Sequence, residues 1–117
     1  MVEGSCHCGA VRIRLREAPA EVTECNCSVC RRLGVLWAYV PADSVEIAAD
    51  PATDTYAWGA RTQAFHRCRV CGCTTHWAKF DPGFDTVGVN ARLLAPEVLA
   101  AARLRHLDGA VTDTYLD

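Results

Sequence analysis

At 117 residues the chain has room for one domain, expected to span residues 1–117, and with 50% hydrophobic residues it can bury a core without covalent staples. Twelve basic residues against fourteen acidic ones leave a formal charge of -2, which offers no electrostatic footprint for nucleic acid. No apolar run approaches the ~20 residues that cross a bilayer, and Met1-Val2-Glu3-Gly4 carries neither a basic nor an apolar leader, so a reducing, cytoplasmic setting is expected.

The chain opens on a metal-ligand pattern. Cys6-His7-Cys8 spaces two thiols so that an extended backbone would aim both the same way with His7 turned outward. Gly9 then lets the chain turn close behind them. Val11, Ile13 and Leu15 alternate with Arg12, Arg14 and Arg16, the period of a strand with one buried face and a row of exposed arginines. Cys25-Asn26-Cys27-Ser28-Val29-Cys30 comes next, and Arg31 and Arg32 sit directly behind it as solvated charges or as partners for a substrate carboxylate.

The next segments read as short strands. Gly34 to Val40 is an apolar run with the character of a strand buried on both sides, and Val45 and Ile47 alternate with Glu46 and Ala48 before Asp50-Pro51 breaks the chain. Thr55 to Trp58 and Thr62 to His66 flank Gly59-Ala60-Arg61 as a hairpin. Cys68-Arg69-Val70-Cys71-Gly72 forms a knuckle, with Arg67 and Arg69 placed either to offset its charge or simply at the surface. Thr74 to Trp77 and Thr86 to Val89 predict two more strands, divided by Asp81-Pro82-Gly83. Only Pro96 followed by Glu97 to Leu104 argues for a helix, with Val98, Leu99 and Ala102 on one face, and Asp108-Gly109 terminates the segment after it. The expected architecture is mainly β, with metal-bearing turns and one short helix near the C-terminus.

Seven of the eight cysteines fall in the three clusters. Soft thiolates suit a tetrahedral zinc with Zn–S bonds near ~2.3 Å. Counting ligands allocates them unevenly: Cys6, Cys8, Cys68 and Cys71 make a closed site, while Cys25, Cys27 and Cys30 stand alone. Three protein ligands and an open position is the coordination of a zinc that does chemistry. The closed site would join segments about sixty residues apart and contribute to folding directly.

An even number of cysteines also permits a disulfide framework. The missing leader, the sufficient core and a Cys-x-Cys pair that cannot readily bridge internally argue against it, and an iron–sulfur centre is a third option for clustered thiolates. Cys73 has three readings: a ligand closing the second site, a free thiol near the metal, or a small buried hydrophobe, the commonest fate of a free cysteine. His66 and His76 read as hydrogen-bonded framework or as proton donors, and His106 carries no signal. Trp37, Trp58, Trp77 and Phe80 read first as core and sheet residues, then as an aromatic wall around a substrate.

Three stretches together resemble one family. Gly4-Ser5-Cys6-His7-Cys8-Gly9-Ala10-Val11, Cys25-x-Cys27-x-x-Cys30-Arg31-Arg32 and Phe65-x-x-Cys68-x-x-Cys71-Gly72 are similar, in this order and over nearly the whole chain, to the glutathione-dependent formaldehyde-activating enzyme and centromere protein V family. The resemblance implies a β-tent fold with two zinc ions, a structural one on Cys6, Cys8, Cys68 and Cys71 and a catalytic one on Cys25, Cys27 and Cys30. It also implies a carbon–sulfur lyase reaction, the reversible condensation of glutathione with formaldehyde. The partners would be a small-molecule thiol and an aldehyde, with no nucleic acid and no membrane. One branch of the family is known for chromosome association, so the alternative is a non-catalytic zinc-stabilised binding module using the same cysteines.

Overall fold

The computed structural model describes all of residues 1–117. Strands β1 (Val2–Ser5), β2 (Val11–Leu15) and β5 (Val45–Ala49) form an antiparallel three-stranded sheet in the order β1-β2-β5. The larger sheet takes β3 (Glu21–Cys25), β4 (Trp37–Pro41), β6 (Asp54–Tyr56), β7 (Gln63–Arg67), β8 (Thr74–Lys79), β9 (Thr86–Asn90) and β10 (Arg103–Leu107), in the order β10-β3-β4-β9-β8-β7-β6. Two short helices, α1 (Cys30–Leu33) and α2 (Pro96–Ala101), complete the chain. The mainly β expectation is met, and no helix is long and apolar enough to cross a membrane.

The period-two pattern of β2 decides how the sheets meet. Ile13 and Leu15 point inward and pack with Val22, Leu36, Ala38, Val89, Ala91 and Leu94 of the larger sheet and its connections, giving one core shared by both sheets. Burying this apolar surface at roughly 25 cal/mol per Å² is the main force holding the sheets together. The opposite face of β2 is the arginine row, with Arg14 paired to Glu3 at 2.9 Å. Helix α2 lays Val98 and Leu99, followed by Ala102, against the same core, the face anticipated from spacing.

Several segments differ from the sequence-based expectation. The helix stops at Ala101, and Arg103 and Leu104 begin β10, which runs parallel to β3 with Leu104 opposite Val22. A fresh backbone partner at the edge of β3 outweighs the modest helix propensity of Leu and Arg there. Val35 and Leu36 are buried but precede the strand, which starts at Trp37. The first thiol pair sits in a turn instead of extended chain, although His7 does face outward. Phe80 and Trp58 are 60% and 43% exposed, so neither is a core residue. Strands β1, β3 and β10 and helix α1 carry too little periodicity to be read in advance.

Candidate metal centres

Cys6 follows the last residue of β1, and Cys68 follows the last residue of β7. Each then enters a tight turn closed on itself, Gly9 N–H donating to the Cys6 carbonyl and Gly72 N–H to the Cys68 carbonyl at 3.2 and 3.0 Å. Both glycines have φ near +80°, at 83° and 81°, which L side chains rarely adopt. The turns point amides at sulfur: Val11 N–H donates to Cys6 Sγ at 3.2 Å, and Val70 and Cys71 N–H to Cys68 Sγ at 3.4 and 3.5 Å.

The four sulfurs of Cys6, Cys8, Cys68 and Cys71 lie within 4.8 Å of one another. A tetrahedron with Zn–S bonds of ~2.3 Å has S···S edges of roughly 3.8 Å. The Cys6–Cys8 and Cys8–Cys68 separations are 3.7 and 3.6 Å, so this donor set fits the ion. Cys6 and Cys68 are each 2% exposed, and Cys8 lies at the surface. Four thiols this close cannot all shed protons without a cation among them. The amide of Cys73 helps draw the Cys71 thiol down to about 5. At Cys8 the Ala10 amide pulls the same way, but desolvation and the other sulfurs outweigh it and leave that thiol at about 11.

The second cluster is built from one short stretch. Cys25 ends β3, Cys27 lies in the following turn, and Cys30 opens α1, which closes at Gly34. Their sulfurs also lie within 4.8 Å of one another, and no fourth Cys, His, Asp or Glu ligand joins them. Cys27 N–H reaches Cys25 Sγ at 3.5 Å, Cys30 N–H reaches Cys27 Sγ at 3.4 Å, and the Trp37 indole N–H donates to Cys30 Sγ at 3.3 Å. Burial pushes the Cys25 and Cys30 thiols up. Burial also acts on Cys27, but the Cys30 amide and the neighbouring thiols outweigh it and bring that thiol down.

This triplet lies against a cavity of about 350 Å³, bounded by Tyr39, Trp58, Phe65, Trp77 and Asp113. Trp77 holds its place because β9 has Gly88 opposite it, where any Cβ would overlap the indole. Partial burial, reinforced by the nearby thiols, pushes the Tyr39 phenol up, so it keeps its proton. Trp58 and Trp77 line the cavity, and so does Trp37, which is also core and a donor to sulfur.

A loop after β10 covers one side of the triplet, and nothing in the sequence pattern announced it. A Cβ on Gly109 would stand 2.6 Å from Cys25 Sγ, so only glycine allows the backbone this close. Asn26, between Cys25 and Cys27, clasps the loop with both ends of its amide: Nδ2 donates to Asp108 Oδ1 and Oδ1 accepts from Ala110 N–H, each at 3.0 Å. Asp108 in turn accepts from Thr112 N–H and Oγ1. Of Asp108-Gly109, expected to be a plain terminator, Gly109 is a piece of the cavity wall and Asp108 anchors the loop.

The other candidates fall into place. Cys73 lies beside the four-sulfur cluster, packed near Cys6 and Cys68, and not at the triplet. His66 and His76 stack with centroids 4.1 Å apart and share hydrogen bonds with Thr53 and Thr75 at 2.7 and 2.9 Å. They are framework, and neither lines the triplet cavity. Arg32 lines a neighbouring groove, whereas Arg31 lines neither hollow. His106 is not idle: it bonds Asp117 at 2.7 Å, which raises its pKa. All eight cysteines are free thiols.

Comparison with known proteins bears on the fold and the family. A crystal structure of a Rhodobacter sphaeroides protein superposes with a TM-score of 0.69 at 31% identity, covering 87% of this chain and 98% of that one. A Halomonas elongata protein, provisionally named a glutathione-dependent formaldehyde-activating enzyme, is 32% identical over 76 residues. That match takes in 64% of this chain and spans 45% of the relative's length. The family model described as glutathione-dependent formaldehyde-activating enzyme matches residues 1–104, which include all seven clustered cysteines. The chain therefore belongs to the glutathione-dependent formaldehyde-activating enzyme family.

Proposed function

We propose that the protein is a zinc-dependent carbon–sulfur lyase that catalyses the reversible addition of a thiol such as glutathione to formaldehyde or another small aldehyde. The observation that carries this reading is the contrast in ligand number: four sulfurs converge at one cluster, and three converge beside a cavity at the other. Cys6, Cys8, Cys68 and Cys71 would hold a structural zinc, and Cys25, Cys27 and Cys30 a catalytic one. When bound by three thiolates, the second ion supplies a positive centre that favours the ionised form of an incoming thiol, whose ordinary pKa is near ~8.5.

The chain's own residues do the rest. The amides of Cys27 and Cys30 and the Trp37 indole fix the ligand sulfurs in place and share their negative charge. Trp58, Phe65 and Trp77 line the cavity with apolar surface. Addition forms one sulfur–carbon bond and leaves a proton to be delivered to the former carbonyl oxygen. Tyr39 lines the cavity with a protonated phenol and is the residue we assign to donate there. Seven ligand thiols also require a reducing compartment, in keeping with a cytoplasmic location.

The test is exchange spectroscopy by NMR on the zinc-loaded protein with glutathione and formaldehyde. Exchange between free thiol and hydroxymethyl adduct should accelerate, Cys27→Ser should abolish the acceleration, and Tyr39→Phe should reduce it by about 10²-fold. A protein holding two zinc ions that neither binds a small thiol nor accelerates exchange would instead be the non-catalytic zinc-stabilised module.

A further inference from the structure

The cavity beside the triplet is far larger than formaldehyde needs. A molecule of two heavy atoms takes up roughly 60 Å³, about two waters' worth. The cavity holds about 350 Å³, within the range that seats a whole organic molecule. Five aromatic side chains line it: Trp37, Tyr39, Trp58, Phe65 and Trp77. Tyr39, Gly88 and Trp77 share a row across β4, β9 and β8. The bare glycine lets the indole lie over the strand, with its ring 6.0 Å from that of Tyr39. Trp37 and Phe65 make a second pair at 6.2 Å. Trp58 comes instead from the turn between β6 and β7, which Arg61 N–H closes by donating to the Trp58 carbonyl at 3.0 Å.

Charge narrows the occupant further. No Arg, Lys or His lines the cavity, and its one charged side chain is the carboxylate of Asp113. Together with the sulfurs, that carboxylate disfavours an anion, so a thiol tail bearing carboxylates is a poor guest here. A neutral apolar group is a good one. Tyr39 and Trp58 are 39% and 43% exposed, aromatic surface that such a group would take out of water and that formaldehyde barely covers.

We propose that the cavity seats the apolar body of the aldehyde, so that the preferred electrophile is a neutral aldehyde carrying a ring or a hydrocarbon chain of similar bulk, not formaldehyde. This rests on the thiol-addition reading of the triplet and narrows its second substrate. The reaction is the same addition with a larger group on carbon. The sulfur–carbon bond forms, the carbonyl π pair moves to oxygen, and that oxygen takes the Tyr39 proton. The proton given up by the thiol restores the phenol, and the product is a hemithioacetal.

Two readouts on the zinc-loaded protein test this. The first is binding without reaction: 3-phenylpropionamide carries a ring and a carbonyl but adds no thiol, and formamide is its counterpart without the ring. Tryptophan fluorescence should respond to 3-phenylpropionamide and not to formamide at equal concentration, and Trp58→Ala should weaken the binding about tenfold. The second is NMR exchange with 2-mercaptoethanol as the thiol. Acceleration over the uncatalysed exchange should be at least tenfold greater for 3-phenylpropanal than for formaldehyde. Ala60→Phe fills the cavity from the exposed β6–β7 turn and should cut that ratio at least tenfold. Benzyl mercaptan with formaldehyde moves the ring to the thiol, and an equal gain there would give the cavity to the thiol and overturn the assignment. No response to 3-phenylpropionamide, formaldehyde accelerated as well as 3-phenylpropanal, or a ratio unmoved by Ala60→Phe would overturn it too, and the addition reading would stand. If neither aldehyde is accelerated, the addition reading falls and takes the proposal with it.

Discussion

The four-sulfur and three-sulfur clusters begin alike, each placing a thiol at the end of a strand and folding a turn back so that amides face sulfur. They part in reach. The first ties the turn after β1 to the turn after β7, with Cys8 and Cys68 sixty positions apart, and so fastens the small sheet to the large one. The second lies within a single six-residue stretch and fastens nothing to anything else. Its surroundings come instead from the aromatic cavity and the clasped loop. A ligand set that spans the fold supports stability, and one that is local can give up a coordination position without endangering the structure.

The widest separation between the two should come from losing one ligand at each. Structural zinc contributes on the order of 10 kcal/mol or more, comparable with the whole stability of a small domain. Cys68→Ser should therefore yield insoluble or unfolded protein, while Cys27→Ser should stay folded with one zinc by native mass spectrometry. A reversed ranking in thermal melts would mean the two roles are exchanged.

Acid should strike the strand that follows the knuckle next. Burial, and then the neighbouring His66, bring the His76 imidazole down to about 3, so the folded chain keeps it neutral where the unfolded chain protonates it near 6.5. The stability it contributes is complete above about pH 6.5 and is lost as pH falls toward 3. Between pH 7 and pH 5 the loss is about 2 kcal/mol. In denaturant titrations His76→Gln should show a pH dependence smaller by that amount, and an identical slope would show that His76 already titrates normally.

At the triplet the effects should be smaller and local. Gly109→Ala pushes a methyl into Cys25 Sγ and should weaken metal binding there about tenfold, or about 1.4 kcal/mol, leaving the four-sulfur site untouched. Competition with a graded chelator resolves the two sites. Asn26→Ala removes the two bonds that clasp the loop and should cost about 1 kcal/mol, seen as faster amide exchange across residues 108–114 with both metals retained. Equal exchange in variant and wild type would mean the loop is held by something other than Asn26.

Much of this was legible in the residues. Thiol spacing grouped the seven clustered cysteines, because two pairs and a triplet admit few ways to converge, and the alternation in β2 announced which face meets the core. The hidden part depends on contacts between distant segments. Arg103 and Leu104 carry helix-compatible side chains, and only the open edge of β3 makes them a strand. Gly109 and Asn26 look like ordinary turn residues until 82 positions of chain fold back and bring Asp108 beside Asn26. Arg32 and Arg31 are equivalent in sequence, and the short helix decides which one turns toward the groove.

That long return has a consequence in time. The three thiols leave the ribosome 82 residues before the aspartate that helps to cover them, as the Asn26–Asp108 pairing measures. At 5–20 residues per second this is a lag of roughly 4–16 s. Through that interval the triplet is bare on the side the loop will later occupy. A metal reaching the three thiols in that interval would meet no covering loop.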